Sequence, residues 1–306
     1  MMTESRPGLG LIGLGIMGRP MGRNLLRAGY PLLVHDLDRS SVAQLVEDGA
    51  RPATSAREVA SGSDILITML PDSPDVQDAY LGRDGAFAAL RPGWLAIDMS
   101  SIAPRIAREL AARAEEAGAA MLDAPVSGGE QGAIAGTLSI MVGGPEAAFA
   151  RARPVFDVLG TTIVHVGPSG TGQVVKACNQ VVVAVVIEAV AEALVLGSKA
   201  GVDPGRIADV LQGGLAATKV LEMRRSNMLE GHFEPGSRTR LHLKDLRIAL
   251  DLARETGVVL PATAQVEQLM VAMHVAGRGD LDHSGLITVL EDLAGHRVAA
   301  QAPALA

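Results

Sequence analysis

The chain has 306 residues, 48% of them hydrophobic but only seven aromatic, with 35 glycines and a net charge of −7. That length holds one large or two ordinary domains, and an acidic balance with so few stacking side chains argues against a nucleic-acid partner. The single cysteine, Cys178, excludes an internal disulfide and fits a reducing, cytoplasmic setting.

The opening, MMTESRPG, lacks the apolar core of a secretory signal. Directly after it, GLGLIGLGIMG contains the spacing G-x-G-x-x-G in two overlapping frames, one from Gly8 and one from Gly13. A phosphate-binding turn must follow a buried strand and open a helix, so that its glycines allow a tight turn and a close backbone approach. Only a polar tail precedes the Gly8 frame. The frame Gly13, Leu14, Gly15, Ile16, Met17, Gly18 follows the strand LGLI and leads into the helical RPMGRNLLRAG, with Pro20 near its first turn and Gly29 at its close. A second strand, PLLVHD, ends at Asp36, where a carboxylate can accept both ribose hydroxyls of NAD. Asp36 would repel a 2′-phosphate, yet Arg39 could bind one, so NADP stays possible.

Further strands are read at DILITMLP, WLAIDMS, AAMLDAPV, TLSIMVGG and TTIVHVG, separated by helical patterns such as residues 105–117. This alternation predicts an α/β, Rossmann-type, doubly wound and mostly parallel sheet over residues 1–167. Ligands of such sheets lie beyond the carboxyl ends of the strands. That rim includes Leu70, Pro71, Ser101 and the loop after Val126.

After HVGPSGTG the strand signals stop. Gln173 to about Ala200 reads as one long helix joining the two domains, and helical patterns continue through PGRIADVLQGG, HLKDLRIALDLARETG, PATAQVEQLMVAMHVAG and SGLITVLEDLAG. Residues 168–306 are therefore expected to form an all-α domain serving substrate binding and oligomerisation. The apolar run VVVAVVIEAVAEALVLG carries Glu188 and Glu192, is too short to span a bilayer cleanly, and reads as a buried soluble helix. No membrane partner is expected.

Between Gln173 and Ile187 the one charged residue is Lys176, with Asn179 and Gln180 on the same helix face. A lysine there can snorkel to water. It can also supply the proton that a carbonyl oxygen needs when a nicotinamide hydride reaches the carbon, and burial near a helix N-terminus would lower its pKa for the reverse reaction. The histidines show no metal-ligand spacing; His232, His242 and the pair Asp282–His283 read as surface or capping residues, and no metal is expected.

The segments GLIGLGIMGRPM, MLPD, IDMSSIAP, DAPVSGG, GTGQVVKACNQ and HLKDLRIAL, in that order, resemble the β-hydroxyacid dehydrogenase family over essentially the whole chain. The resemblance implies that Lys176 is the catalytic acid/base. It implies that Ser127, Gly128 and Gly129 grip the substrate, that Ser101 and Lys244 touch the cofactor, and that Asp245 supports the site. One departure stands out: many members carry a second Asn where this chain has Gln180, while Asn179 is retained. The second-half segments QGGLAATKVLE, FEPGSRTRLHLKDL and LDHSGL most resemble the branch that reduces 2-hydroxy-3-oxopropanoate to glycerate with NADH, with 3-hydroxyisobutyrate dehydrogenases as the alternative. The family also implies a homodimer or homotetramer. A nucleotide-binding interaction module without turnover is the alternative from another class; the joint presence of cofactor turn, acid and lysine speaks for an enzyme.

Overall fold

In the computed structural model, which describes residues 6–299, the chain divides into two compact units between Lys176 and Ala177. The opening MMTES, read above for a signal, lies outside the described residues.

The first unit is built on nine strands, β1 (Leu9–Ile12), β2 (Leu32–His35), β3 (Arg51–Pro52), β4 (Ile65–Thr68), β5 (Leu95–Asp98), β6 (Ala120–Asp123), β7 (Val126–Ser127), β8 (Leu138–Gly143) and β9 (Gly160–Gly167). Helices α1 (Gly18–Arg27), α2 (Arg39–Glu47), α3 (Ala56–Ser61), α4 (Ser73–Leu81), α5 (Pro104–Glu116), α6 (Gly129–Ala135) and α7 (Glu146–Leu159) connect them. The order β3-β2-β1-β4-β5-β6 is parallel throughout. Beyond it, β8 runs antiparallel to β6 and β7, and β9 runs parallel to β8. Strand order reverses around β1, so the carboxyl ends of β1 and β4 flank the crevice in which doubly wound sheets bind ligands.

The sheet is apolar on both faces, as a sheet covered by helices must be. Leu9 and Leu11 of β1, Ile65 and Ile67 of β4, and Leu95 and Ile97 of β5 point into one core, shared with Leu25, Leu45 and Phe156. The alternate positions Ile12, Leu66 and Ala96 point into the other, with Val59, Tyr80, Trp94 and Leu110. Gly10 belongs to this second face: a Cβ there would stand 2.4 Å from Val59 Cγ1. Its job is to let α3 lie on the sheet, which is why the Gly8 frame is not the phosphate turn.

Helix α8 (Thr171–Lys199) begins in the first unit and continues as the first helix of the second. There it is joined by α9 (Pro204–Gly213), α10 (Lys219–Glu230), α11 (Thr239–Thr256), α12 (Pro261–Met273) and α13 (Ile287–Ala294), around a core that includes Ile187, Leu194, Leu221, Leu246 and Met270. Among the described residues, α8 alone is long and apolar enough to cross a membrane. Its 29 residues exceed the length expected from the apolar run alone, and 39% of its most apolar window is buried. Within it Glu188 is buried and hydrogen-bonded to Glu192; burial and that neighbouring carboxylate push its pKa up to about 7.

Candidate active site

Where β1 ends, the chain turns through Gly13 at φ +93°, where a Cβ would stand 2.3 Å from the Met69 carbonyl. Gly18 opens α1, and its Cβ would stand 1.9 Å from the Gly13 carbonyl oxygen. Gly15, by contrast, faces open space, with nothing within 4 Å of a Cβ position. Two glycines thus close the turn and one leaves its rim clear for a ligand. The N-cap Met17 offers no side-chain cap and the first turn of α1 has no acid, so these N–H groups suit a pyrophosphate. Asp36, just past β2, accepts the Leu14 N–H at 2.6 Å and the Asp38 N–H at 2.8 Å. Each oxygen keeps a lone pair for a ribose hydroxyl. The turn and its acid therefore fit a dinucleotide.

The neighbouring strand ends complete this edge. Leu70, beyond β4, donates its N–H to Ser100 Oγ at 2.8 Å, beside exposed Pro71 and half-buried Ser101. At the end of β5 the fully buried Asp98 accepts from Thr68 Oγ1 at 2.8 Å and from the Ser100 N–H at 3.2 Å. Burial pushes its pKa up to about 6. At the end of β6, Asp123 accepts the N–H groups of Gly170 at 2.7 Å and Gln173 at 3.0 Å, anchoring the start of α8. Burial pushes this carboxyl up to about 6 as well, against the pull of those backbone donors. The Gln173 side chain accepts the Ile102 N–H at 3.1 Å and donates to the Ser100 carbonyl at 2.8 Å. Asp98, Asp123 and Gln173 escaped the sequence reading. The available signal was the requirement that acids ending apolar strands find partners when buried.

Lys176 follows one turn into α8 and is buried, 8% exposed. Ser127, which ends β7, is half-buried, and Gly128 and Gly129, the N-cap and first residue of α6, adopt φ of +138° and +61°. Only glycine takes both values without strain, and the turn presents successive backbone N–H groups.

A second polar group lies in the second unit. Asn179 Nδ2 donates to Gln180 Oε1 at 2.9 Å, and Gln180 Nε2 donates to Asp245 Oδ2 at 2.6 Å. Lys244 pairs with Asp245 at 3.0 Å, so this part of α11 is not a merely solvated face. The histidine expectation needs correction. His232 is exposed and Asp282 does cap the 3-10 turn His283–Leu286, but His242 and His283 are buried against each other, not on the surface. The i, i+3 apolar pattern of α11 turns His242 inward with Leu243 and Leu246. No cluster of three metal-binding side chains occurs among the described residues.

Two family models account for the chain: the NAD-binding domain of 6-phosphogluconate dehydrogenase matches residues 8–167, and the NAD-binding domain of NADP-dependent 3-hydroxyisobutyrate dehydrogenase matches residues 170–290. The 2-hydroxy-3-oxopropionate reductase of Escherichia coli (strain K12) is 46% identical over 292 residues, covering 95% of this chain and 99% of that one. An NAD-dependent L-serine dehydrogenase of Pseudomonas aeruginosa is 42% identical over 285 residues, covering 90% and 95%. The solved Mycobacterium tuberculosis 3-hydroxyisobutyrate dehydrogenase with L-serine matches with a TM-score of 0.83 at 36% identity, covering 93% and 99%. The protein is a nicotinamide-dependent oxidoreductase. It belongs to the β-hydroxyacid dehydrogenase family and is an NAD(P)-dependent 3-hydroxyacid dehydrogenase.

Proposed function

We propose that the enzyme reduces 2-hydroxy-3-oxopropanoate to glycerate with NADH, residues 1–167 binding the cofactor and 168–306 serving substrate binding and assembly. The observation that carries this reading is Lys176, a buried cation one turn past the anchored start of α8, in a chain 46% identical to a reductase of that name. Bound NADH supplies the hydride to the aldehyde carbon. Lys176 Nζ donates a proton to the oxygen as the alkoxide forms, and takes it back when the reaction runs in reverse. Ser127 Oγ and the N–H groups of Gly128 and Gly129 hold the substrate carboxylate. Asn179 and Gln180 continue the polar face that Lys176 begins, with Asp245 holding the Gln180 amide. The turn Gly13–Gly18, Leu70, Pro71 and Ser101 line the cofactor, Lys244 contacts it, and Asp36 takes its ribose hydroxyls, which favours NADH over NADPH.

A second reading has specific support. Glycerate, L-serine and 3-hydroxyisobutyrate share the skeleton HO–CH2–CH(X)–COO⁻ and differ at X, and the two serine-associated relatives cover nearly the same length of chain. A pocket that hydrogen-bonds a 2-hydroxyl rejects a methyl strongly, whereas an apolar pocket rejects a hydroxyl poorly. The test is initial-rate oxidation of all three acids with NAD and NADP, beside reduction of 2-hydroxy-3-oxopropanoate. A higher kcat/KM for serine or hydroxyisobutyrate than for glycerate would overturn the substrate assignment but not the role of Lys176.

That role has its own test. Lys176→Ala should lower kcat by about 10²–10⁴-fold, the range expected for a lost acid/base, while the Kd for NADH measured by fluorescence titration stays within about twofold. A variant with near-normal kcat would remove Lys176 from the mechanism.

A further inference from the structure

Four groups of the second unit form a continuous hydrogen-bonded chain. Arg224 Nε, on α10, lies 3.2 Å from His283 Nε2. His283 Nδ1 lies 2.9 Å from His242 Nδ1, and His242 Nε2 lies 3.2 Å from the Gln180 carbonyl oxygen on α8. Both rings are buried.

The two ends of this chain decide every proton within it. A guanidinium N–H can only donate and a carbonyl oxygen can only accept. His283 Nε2 must therefore accept, which puts its proton on Nδ1. That Nδ1–H donates to His242 Nδ1, so the proton of His242 sits on Nε2 and points at the Gln180 carbonyl. No other arrangement leaves each contact with one donor and one acceptor. An added proton on either ring would set two N–H groups face to face. The charged groups around the pair agree with this polarity. Asp282 stands 4.0 Å from His283 Nε2, beyond hydrogen-bond reach; its oxygens accept from Ser284 and Ser237, and its Oδ1 lies 3.4 Å from Arg224 Nε, so the carboxylate pairs with the guanidinium that heads the chain. Asp245 lies one turn along α11 and spends Oδ2 on Gln180 and Oδ1 on Lys244.

Gln180 is thus gripped twice by α11, at its carbonyl by His242 and at its side chain by Asp245, three residues apart on the same face. Two such contacts, added to the buried face of α8 at Ala184, Ile187, Ala191 and Leu194, fix the direction of its polar side more tightly than one would. We propose that His242 and His283 are positioning residues: the one-way chain Arg224, His283, His242, Gln180 sets the direction of the α8 polar face that carries Lys176 and Asn179. The proposal rests on the assignment of Lys176 as the acid/base. It also gives Gln180 a purpose, since its longer side chain bridges Asn179 and Asp245.

The first measurement needs no substrate. Two-bond ¹⁵N–¹H correlation spectra of the ¹⁵N-labelled full-length protein at neutral pH should show His283 as the Nδ1–H tautomer and His242 as the Nε2–H tautomer. An imidazolium at either residue, or His283 protonated at Nε2, overturns the proposal even if every catalytic assignment stands. The second measurement ties the chain to turnover. The amide nitrogen of Asn reaches about where His Nδ1 lies, so His283→Asn keeps the donor and His283→Leu removes it. With 2-hydroxy-3-oxopropanoate, His283→Leu should lose ~10-fold in kcat with KM for NADH unmoved, as a small misorientation of an acid/base costs, and His283→Asn should recover most of that loss. Equal impairment of both variants, or an unaltered kcat in the Leu variant, also overturns it. If the Leu variant fails to fold, or if no substrate turns over in the wild type, the tautomers alone decide.

Discussion

The Asp98 carboxyl takes both of its hydrogen bonds through Oδ1, from Thr68 and Ser100, while Oδ2 is buried with no partner. Its pKa in the fold is pushed up from 3.8 to about 6, chiefly by burial, while the unfolded chain titrates at the ordinary value. Between those limits the folded protein keeps a proton that the unfolded chain has lost, so stability falls as pH rises from about 4 to about 6 and stays lower above. Two pKa units correspond to roughly 3 kcal/mol. Asp98→Asn has no charge to develop and keeps an oxygen for Thr68 and Ser100. In urea unfolding, its stability relative to wild type should rise by up to ~3 kcal/mol between about pH 4 and about pH 8. A difference that stays constant across that range would show that Asp98 ionises in the fold as freely as in water. Legibility at this scale followed locality. Lys176 was visible as a lone charge in an apolar run and Asp36 by its distance from a glycine turn. Asp123 and Gln173 were not, because their partners are backbone groups many residues away.

At the scale of elements, the beginning of α8 is where the sheet constrains Lys176, the proposed acid/base. Gly172 lies against β6 and β8 so closely that a Cβ would stand 2.4 Å from the Met141 carbonyl oxygen and 2.6 Å from that of Asp123. Both obstacles are backbone, so no rotamer change relieves them, and the helix start itself must shift. Gly172→Ala should therefore cost ~1–3 kcal/mol of stability, the usual range for overpacking, and lower kcat, because Lys176 follows one turn later. Gly213→Ala, at a position with nothing within 4 Å, is the control and should leave both unchanged. Denaturation midpoints and kcat for the pair decide it; an unperturbed Gly172→Ala would mean that α8 is not pinned there. Some elements were plain in the sequence. LGLI coincides with β1, and the helix expected over 173–200 is Thr171–Lys199. The opposite direction of β8 and β9 was not legible, since alternation of apolar residues sets which face is buried and not which way a strand runs. Helix α10 was missed because it buries just Leu221 and Met228 among charged neighbours, too little for a periodic stripe.

For the molecule as a whole, the open question is what covers the remaining side of α8. Val175, Cys178, Val182, Val185, Ala189, Glu192 and Leu196 follow one another at alternating three- and four-residue steps, the spacing that keeps one stripe facing a partner helix. Six of these seven are exposed and Val185 is half-buried; Val182 and Leu196 are 61% and 74% exposed. The most apolar 18-residue window of the helix has a mean hydropathy of 2.2, and 39% of it is buried. Water is a poor neighbour for such a stripe. At about 25 cal/mol per Å², covering a few hundred Å² of it is worth several kcal/mol. A second copy presents the same stripe and can satisfy it by a two-fold axis. We therefore expect a homodimer or homotetramer with α8 in its interface. Light scattering coupled to size exclusion should give at least twice the 31.6 kDa of one chain. The double variant Val182→Glu, Leu196→Glu should elute as a monomer, since each carboxylate would be desolvated in the contact. It should retain helical circular dichroism, because both positions face outward. A wild type that runs as a monomer at about 50 µM would leave the stripe uncovered and remove α8 as the interface. A variant that stays oligomeric would place the contact elsewhere in the second unit, where Leu215, Val259, Val275 and Leu293 are exposed apolar side chains to test next.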